Sequence, residues 1–360
     1  MKTLKYILLA TIVLGMASFS QASAAVSKSK DKDSLNIEPA SQFSFFNAED
    51  VLEMTLMFDV REFQKTKLDP DKSFDAKLTV MTSENDSLSQ DIKIKARGKM
   101  RRKYCSFPPI CLKIKDGKGS QSVFETGNLK LVTHCSPGVN FENYILKEYL
   151  VYKLYNQVTP YSFKARLVRV NYVDVNRPKA IYTEYGFLIE NTDHLASRNN
   201  ASVVENPNIS QNNMNDYEMA RVALFNYMIG NTDWSVQSQH NIKVLKTNDP
   251  TINKGIPVSY DFDYSGFVNS SYASPNEKIP IDDVTERYFQ GTCFSEALLK
   301  QVFDEFQQEQ PMLIQTIETF NLLPKAQRKM AESYVNNFFK KYRKENVLIS
   351  DINRTCLRNP

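Results

Sequence analysis

The run Ile229-Gly-Asn-Thr-Asp233-Trp-Ser-Val-Gln-Ser-Gln-His240-Asn241-Ile-Lys-Val244, followed by Pro257-Val-Ser-Tyr-Asp261-Phe-Asp263-Tyr-Ser-Gly266, organises the reading of this chain. Gly230-Asn231 is a turn signal behind a helical pattern, so Asp233 is presented from a loop. Asn241 closes that loop where a strand-like run begins, and Asp261 ends a second strand-like run from Ile256. Asp263 alternates in phase with Asp261 and is a candidate for a further metal ligand or a structural partner. Taken singly, Asp233 fits a helix-terminal cap as well, and the other acids fit a solvated hairpin. In this order the three describe a site for phosphoryl transfer: a carboxylate that accepts a proton, then an amide and a carboxylate that offer oxygens to a hard cation. Ser265-Gly266 then suits a loop beside a phosphate.

Upstream, the pattern is strand-like from Ala48 to Ser106, with partial alternation at Leu52–Phe58 and clean alternation at Lys77–Val80 and Ile92–Ala96. Further strands are expected at Ile110–Lys115 and Asn128–Thr133. A helix is expected over Phe141–Asn156, then a strand pair at Ala165–Tyr172 and Tyr185–Glu190, and a second helix over Met214–Ile229. Residues 199–213 are Asn-rich and loop-like. Beyond Glu286 the pattern is helical: Ser295–Phe306, Gln310–Phe320 and Lys325–Tyr342. No internal repeat is visible. The order predicts an α+β chain in the two-lobed, protein-kinase-like arrangement. Residues 41–191 would form a strand-rich lobe with one helix, and 192–360 a mainly helical lobe that carries the acidic motifs.

The basic run Lys95-Ala-Arg97-Gly98-Lys99-Met-Arg101-Arg102-Lys103 suits either a phosphate-covering loop or a solvated face. Lys113 sits in an apolar strand, on one face with Cys111, and is a candidate to grip phosphates. Lys130 is its rival, and Glu148 is placed to pair with either. His134, beside Cys135, reads as structural, and neither it nor His194 and His240 is assigned chemistry. No nucleophile elbow, Cys/His dyad, Walker loop or zinc spacing is present.

The first residues read as an export signal: Lys2 and Lys5, an apolar Tyr6–Met16, and Ala22-Ser23-Ala24 as the cleavage site, with a polar linker over 25–40. Removing residues 1–24 takes away two lysines and no acid, so a net charge of +4 falls to about +2. That balance does not support a general nucleic-acid binder. A periplasmic or secreted location follows as an expectation, with no transmembrane segment in the mature chain. Of the five cysteines, Cys105 and Cys111 are the local candidates for a disulfide, and an odd count leaves one over.

Arg97-Gly98, Pro108-Pro109-Ile-Cys-Leu-Lys113, Tyr144-Ile-Leu-Lys-Glu148, Gly186-Phe-Leu-Ile-Glu190, Asn231-Thr-Asp233, Asn241 and Tyr260-Asp261-Phe-Asp263 together resemble the spore-coat CotH kinase family. The resemblance covers about Ile92 to Gly266, roughly half the chain, and is strongest in the two acidic motifs. It implies an exported, metal-dependent kinase that uses ATP with Mg²⁺ or Mn²⁺ and phosphorylates a protein hydroxyl or another acceptor. Asp233 would be the catalytic base, Asn241 and Asp261 the metal ligands with Asp263 beside them. Glu148 would pair the phosphate lysine, and Glu190 and Asn191 would border the adenine. This chain departs from ordinary kinases in the long gap from Asp233 to Asn241 and in lacking a Gly-rich phosphate loop. A kinase-like envelope scaffold without turnover is the second reading.

Overall fold

The computed structural model describes residues 42–82, 86–114, 124, 127–205 and 209–358. The expected signal and linker lie outside the described residues. Seven strands come first: β1 (Leu52–Phe58), β2 (Phe74–Met81), β3 (Ser87–Ala96), β4 (Ile110–Ile114), β5 (Gly127–Val132), β6 (Ala165–Asp174) and β7 (Arg177–Ile189). They close into a barrel in the order β1-β2-β3-β4-β5-β7-β6. Every neighbouring pair is antiparallel except β1 and β6, which run parallel with Leu52 opposite Val168 and Phe58 opposite Asp174. Alternation puts Leu56, Leu78, Ile94, Leu112, Leu131 and Val170 inside, around Phe58, Phe63 and Phe107. Cys111, Lys113 and Lys130 fall on the outer face, each half-buried.

Short helices α1 (Gln42–Asn47), α2 (Val60–Lys65) and α3 (Arg101–Tyr104) precede or interrupt the strands, and α4 (Val139–Val158) enters between β5 and β6. α5 (Thr192–Arg198) leads into a three-stranded antiparallel sheet of β8 (Ala201–Val204), β9 (Ile242–Thr247) and β10 (Ile256–Ser259), ordered β10-β9-β8. α6 (Asp216–Ile229), α7 (Glu296–Thr319), α8 (Lys325–Lys341) and α9 (Glu345–Thr355) complete the chain. Buried residues of α4 and of α6 to α9 share one core with Phe187 and Ile189 of β7 and with Ile242, Val244 and Val258 of the small sheet. The described residues form a single compact unit.

The expected two-lobed kinase-like arrangement is corrected by this topology. Alternation identified the strands, but the parallel β1/β6 pairing joins residues more than a hundred positions apart and turns an open strand-rich lobe into a closed barrel. Two helices expected between Ser295 and Phe320 are one, α7, with Pro311 inside it. Pro311 lies on the exposed side, where the carbonyl it leaves unpaired can meet water. The disulfides also differ from the local expectation. Cys105 bonds Cys135, Cys293 bonds Cys356, and Cys111 is free. Among the described residues no helix is long and apolar enough to cross a membrane.

His134 is structural, as expected: it is buried, stacks on Phe107 at 5.0 Å between ring centres, and neither ring nitrogen has a hydrogen-bond partner. Burial pushes its pKa down to about 4. The unfolded chain therefore binds an extra proton between about pH 6.5 and pH 4, and folding stability falls as the pH drops through that window. His134→Phe should flatten this acid-side loss by roughly 2–3 kcal/mol at pH 4 relative to pH 7. Urea denaturation of both proteins across the window measures it, and parallel pH profiles would contradict it.

Candidate functional site

Two loops carry the acidic motifs, and the main chain fastens them together. α6 ends at Gly230 in the left-handed region (φ 65°), which turns the chain towards Asp233. Gly266 N–H donates to the Gly230 carbonyl and Phe267 N–H to the Ile229 carbonyl, both at 3.0 Å. A Cβ at Gly266 would lie 2.5 Å from the Val284 carbonyl and 2.4 Å from the Tyr334 hydroxyl, so the approach requires glycine. Buried Asn226 on α6 accepts from Asn231 Nδ2 at 2.8 Å and from the Ser259 hydroxyl at 3.2 Å, which ties both loops to the same helix. Asn231 in turn accepts from the Asp233 N–H. Between the two acids, Phe262 is fully buried against Tyr152, Tyr155 and Phe225. Tyr152 Oη accepts the Asp261 N–H at 3.0 Å.

Asp233 and Asn241, eight residues apart, are in contact. Asn241 Nδ2 donates to Asp233 Oδ2 at 3.0 Å and to the Asp233 carbonyl at 2.8 Å. The long loop between them is folded back by the Ser235–His240 bridge. The bridge brings His240 Nε2 to 2.8 Å from Asp233 Oδ1. This Asp233–His240 pair had no counterpart in the sequence reading. The signal was present only as His240 standing next to Asn241. The bond to Asp233 raises the imidazole pKa, against partial burial. Gln239, Asn241 and Asp261 all have positive φ, at 47°, 52° and 63°. Such conformations cost of order 1–3 kcal/mol each and gather at functional sites.

A cavity of about 420 Å³ opens here. Its lining combines the acidic-motif residues Asp233, His240, Asn241, Asp261 and Asp263 with the cations Arg97, Lys99 and Arg101 and with Tyr104, Tyr264 and Tyr272. The basic run thus divides. Lys99 and Lys103 are exposed, whereas Arg101 is buried. Arg101 Nε donates to Asp263 Oδ2 at 2.8 Å, and Nη2 contacts Asp263 Oδ2 at 2.8 Å and Glu148 Oε2 at 2.7 Å. Burial works against the guanidinium charge, but Asp263 and then Glu148 more than restore it and raise its pKa. Burial raises the carboxyl pKa of both Glu148 and Asp263, with Arg101 opposing. The Cys105–Cys135 bond sits at the end of α3 and holds this segment to the chain leading into α4.

The partner expected for Glu148 is therefore corrected: it is Arg101, not Lys113 or Lys130. Lys113 lies opposite Lys93 and Asn128 on the barrel exterior and does not line the cavity. Lys130 sits over the rings of Tyr260 and Phe163, at 5.3 and 5.9 Å, and shares its electrostatic surroundings with Arg97, Lys243 and Asp261. Glu190 and Asn191 are occupied with local structure. Glu190 is fully buried, binds His194 and Arg198 and accepts the Lys164 N–H, while Asn191 caps α5. Neither lines the cavity.

No known family model matches the chain, and no curated protein matches it in sequence.

Burial, followed by the neighbouring charges of Arg97 and Lys243, pushes the Lys130 pKa down to about 8. The folded state thus carries a penalty for the charged amine up to about pH 8, and the penalty fades as the unfolded lysine also loses its proton towards pH 10.5. Relative to wild type, Lys130→Met should be more stable at pH 7, by roughly 1–3 kcal/mol, with the difference closing above pH 10. Equal stability at pH 7 would show that Lys130 is solvated.

Proposed function

We propose that the chain is a metal-dependent phosphotransferase of the kind that the CotH resemblance implies, moving the γ-phosphoryl group of ATP to a hydroxyl acceptor. The observation that carries this reading is that one cavity is lined at once by Asp233, held by His240 and Asn241, by Asp261, and by the cations Arg97 and Lys99.

Asp261 supplies a carboxylate that is 40% exposed, and Asn241, with its amide nitrogen committed to Asp233, keeps its carbonyl oxygen as an acceptor. These are hard oxygen donors, and they fit Mg²⁺ or Mn²⁺. When bound, the cation would neutralise charge on the transferring phosphates. Asp233 accepts the proton of the acceptor hydroxyl as that oxygen bonds to the γ-phosphorus and the bond to the ADP oxygen breaks. His240 and Asn241 each hold one carboxylate oxygen of Asp233 and fix its direction. Arg97, which lines the cavity, provides positive charge for the phosphate chain, and Lys130, outside the lining, lies within electrostatic reach of Asp261. Two disulfides suit export to an oxidising compartment. The envelope-scaffold reading draws support from Arg101, which already fills the buried part of the acidic cluster.

ATP with Mn²⁺ should raise the melting temperature, since a ligand at a hundred times its Kd stabilises by about 2.7 kcal/mol. Asp261→Ala should abolish that shift. Asp233→Asn should keep the shift and lower transfer by roughly 10²–10⁴-fold. No shift at millimolar nucleotide would favour the scaffold, and transfer surviving both substitutions would remove these residues from the mechanism.

A further inference from the structure

Glu148, Asp261 and Asp263 are the one group of three potential metal ligands found among the described residues, each offering an oxygen within 4.8 Å of the others. They differ in what they face. The Asp261 side chain is 40% exposed, whereas those of Asp263 and Glu148 are 6% and 1% exposed. Two buried carboxylates this close call for a shared proton or a cation between them. The chain provides one: Arg101 Nη2 touches Glu148 Oε2 at 2.7 Å and Asp263 Oδ2 at 2.8 Å, and stands 3.8 Å from Asp261 Oδ1. That atom bridges the carboxylates as an ion would. Glu148 Oε1 is buried with no hydrogen-bond partner, so the pocket retains an oxygen that the guanidinium does not satisfy. Arg101 comes from α3, a different segment from the three acids, so removing its charge leaves the carboxylate cage on its own supports: α4, Phe262 and the Ser270 hydroxyl, which donates to the Asp263 carbonyl at 2.8 Å.

We propose that Arg101 is a resident cation standing in the second ion position of a two-position acidic site. Wild-type protein then binds one divalent cation, on the cavity side at Asp261 and Asn241. Neutralising Arg101 opens a buried position between Glu148 and Asp263. The cavity-side ion rests on the phosphotransferase reading, and the buried position does not.

The test is the number of Mn²⁺ ions bound per chain, measured by equilibrium dialysis with electron paramagnetic resonance of free Mn²⁺ on the oxidised protein without nucleotide. Wild type should bind one, Arg101→Gln two, and Arg101→Gln with Glu148→Gln one again. If wild type binds none and Arg101→Gln binds one, the resident-cation inference stands and the cavity-side assignment fails. An Arg101→Gln protein that is folded and binds no more than wild type overturns the inference, as does retention of the added ion in the double variant. If Arg101→Gln is unfolded in metal-free buffer, recovery of a cooperative melting transition with Mn²⁺ supports it, and failure to recover overturns it.

Discussion

The ion cluster of Arg101 with Glu148 and Asp263 is the constraint on which the arrangement of the cavity depends. It joins three segments distant in sequence: the α3 turn, the middle of α4 and the loop after β10. Buried charge pairs contribute little net stability, because desolvation offsets the attraction, but removing one partner is costly. Their value here is positional. With Arg101 held inside, Arg97 and Lys99 of the same run line the cavity together with Asp233. The Cys105–Cys135 bond reinforces the same position by anchoring the residue that ends α3.

The barrel and the helical core each border residues of this cluster. β4 and β5 turn Leu112, Leu129 and Leu131 inward, which leaves Cys111, Lys113 and Lys130 facing out. Lys130 is then drawn against Tyr260, one residue from Asp261, and loses solvent. α4 is buried along most of its length, and that burial accounts for both the raised Glu148 carboxyl and the Tyr152 hydroxyl fixed on the Asp261 N–H.

Much of the local structure was legible because side-chain period reports local burial. The strands and the helix around Glu148 show this, and so does the placement of Asp233, Asn241 and Asp261 on neighbouring loops. Barrel closure was not legible, since parallel pairing of β1 with β6 leaves no mark in either strand's own alternation. Arg101 was hidden for a related reason. It stands in a run of cations whose other members are exposed or half-buried, so composition there suggests solvent, and only the fold reveals its two carboxylate partners. Asp263, which is in phase with Asp261, looked like a further metal ligand for the same reason: alternation places both side chains alike but does not show that a guanidinium holds one of them. His240 became visible only once the loop from Ser235 closed upon itself, and Glu190 lost its expected border role to Arg198 and His194.

The crossing of the two acidic loops at Gly230 and Gly266 has a mechanical consequence. Their spacing is set by main-chain hydrogen bonds at 3.0 Å, and the Tyr334 hydroxyl from α8 leaves no room there for a larger residue. Asp233 and Asp261 therefore belong to one braced unit, backed by a helix that begins more than sixty residues after them in the chain. Damage to the C-terminal helices would be felt in the cavity without any change to a residue that lines it.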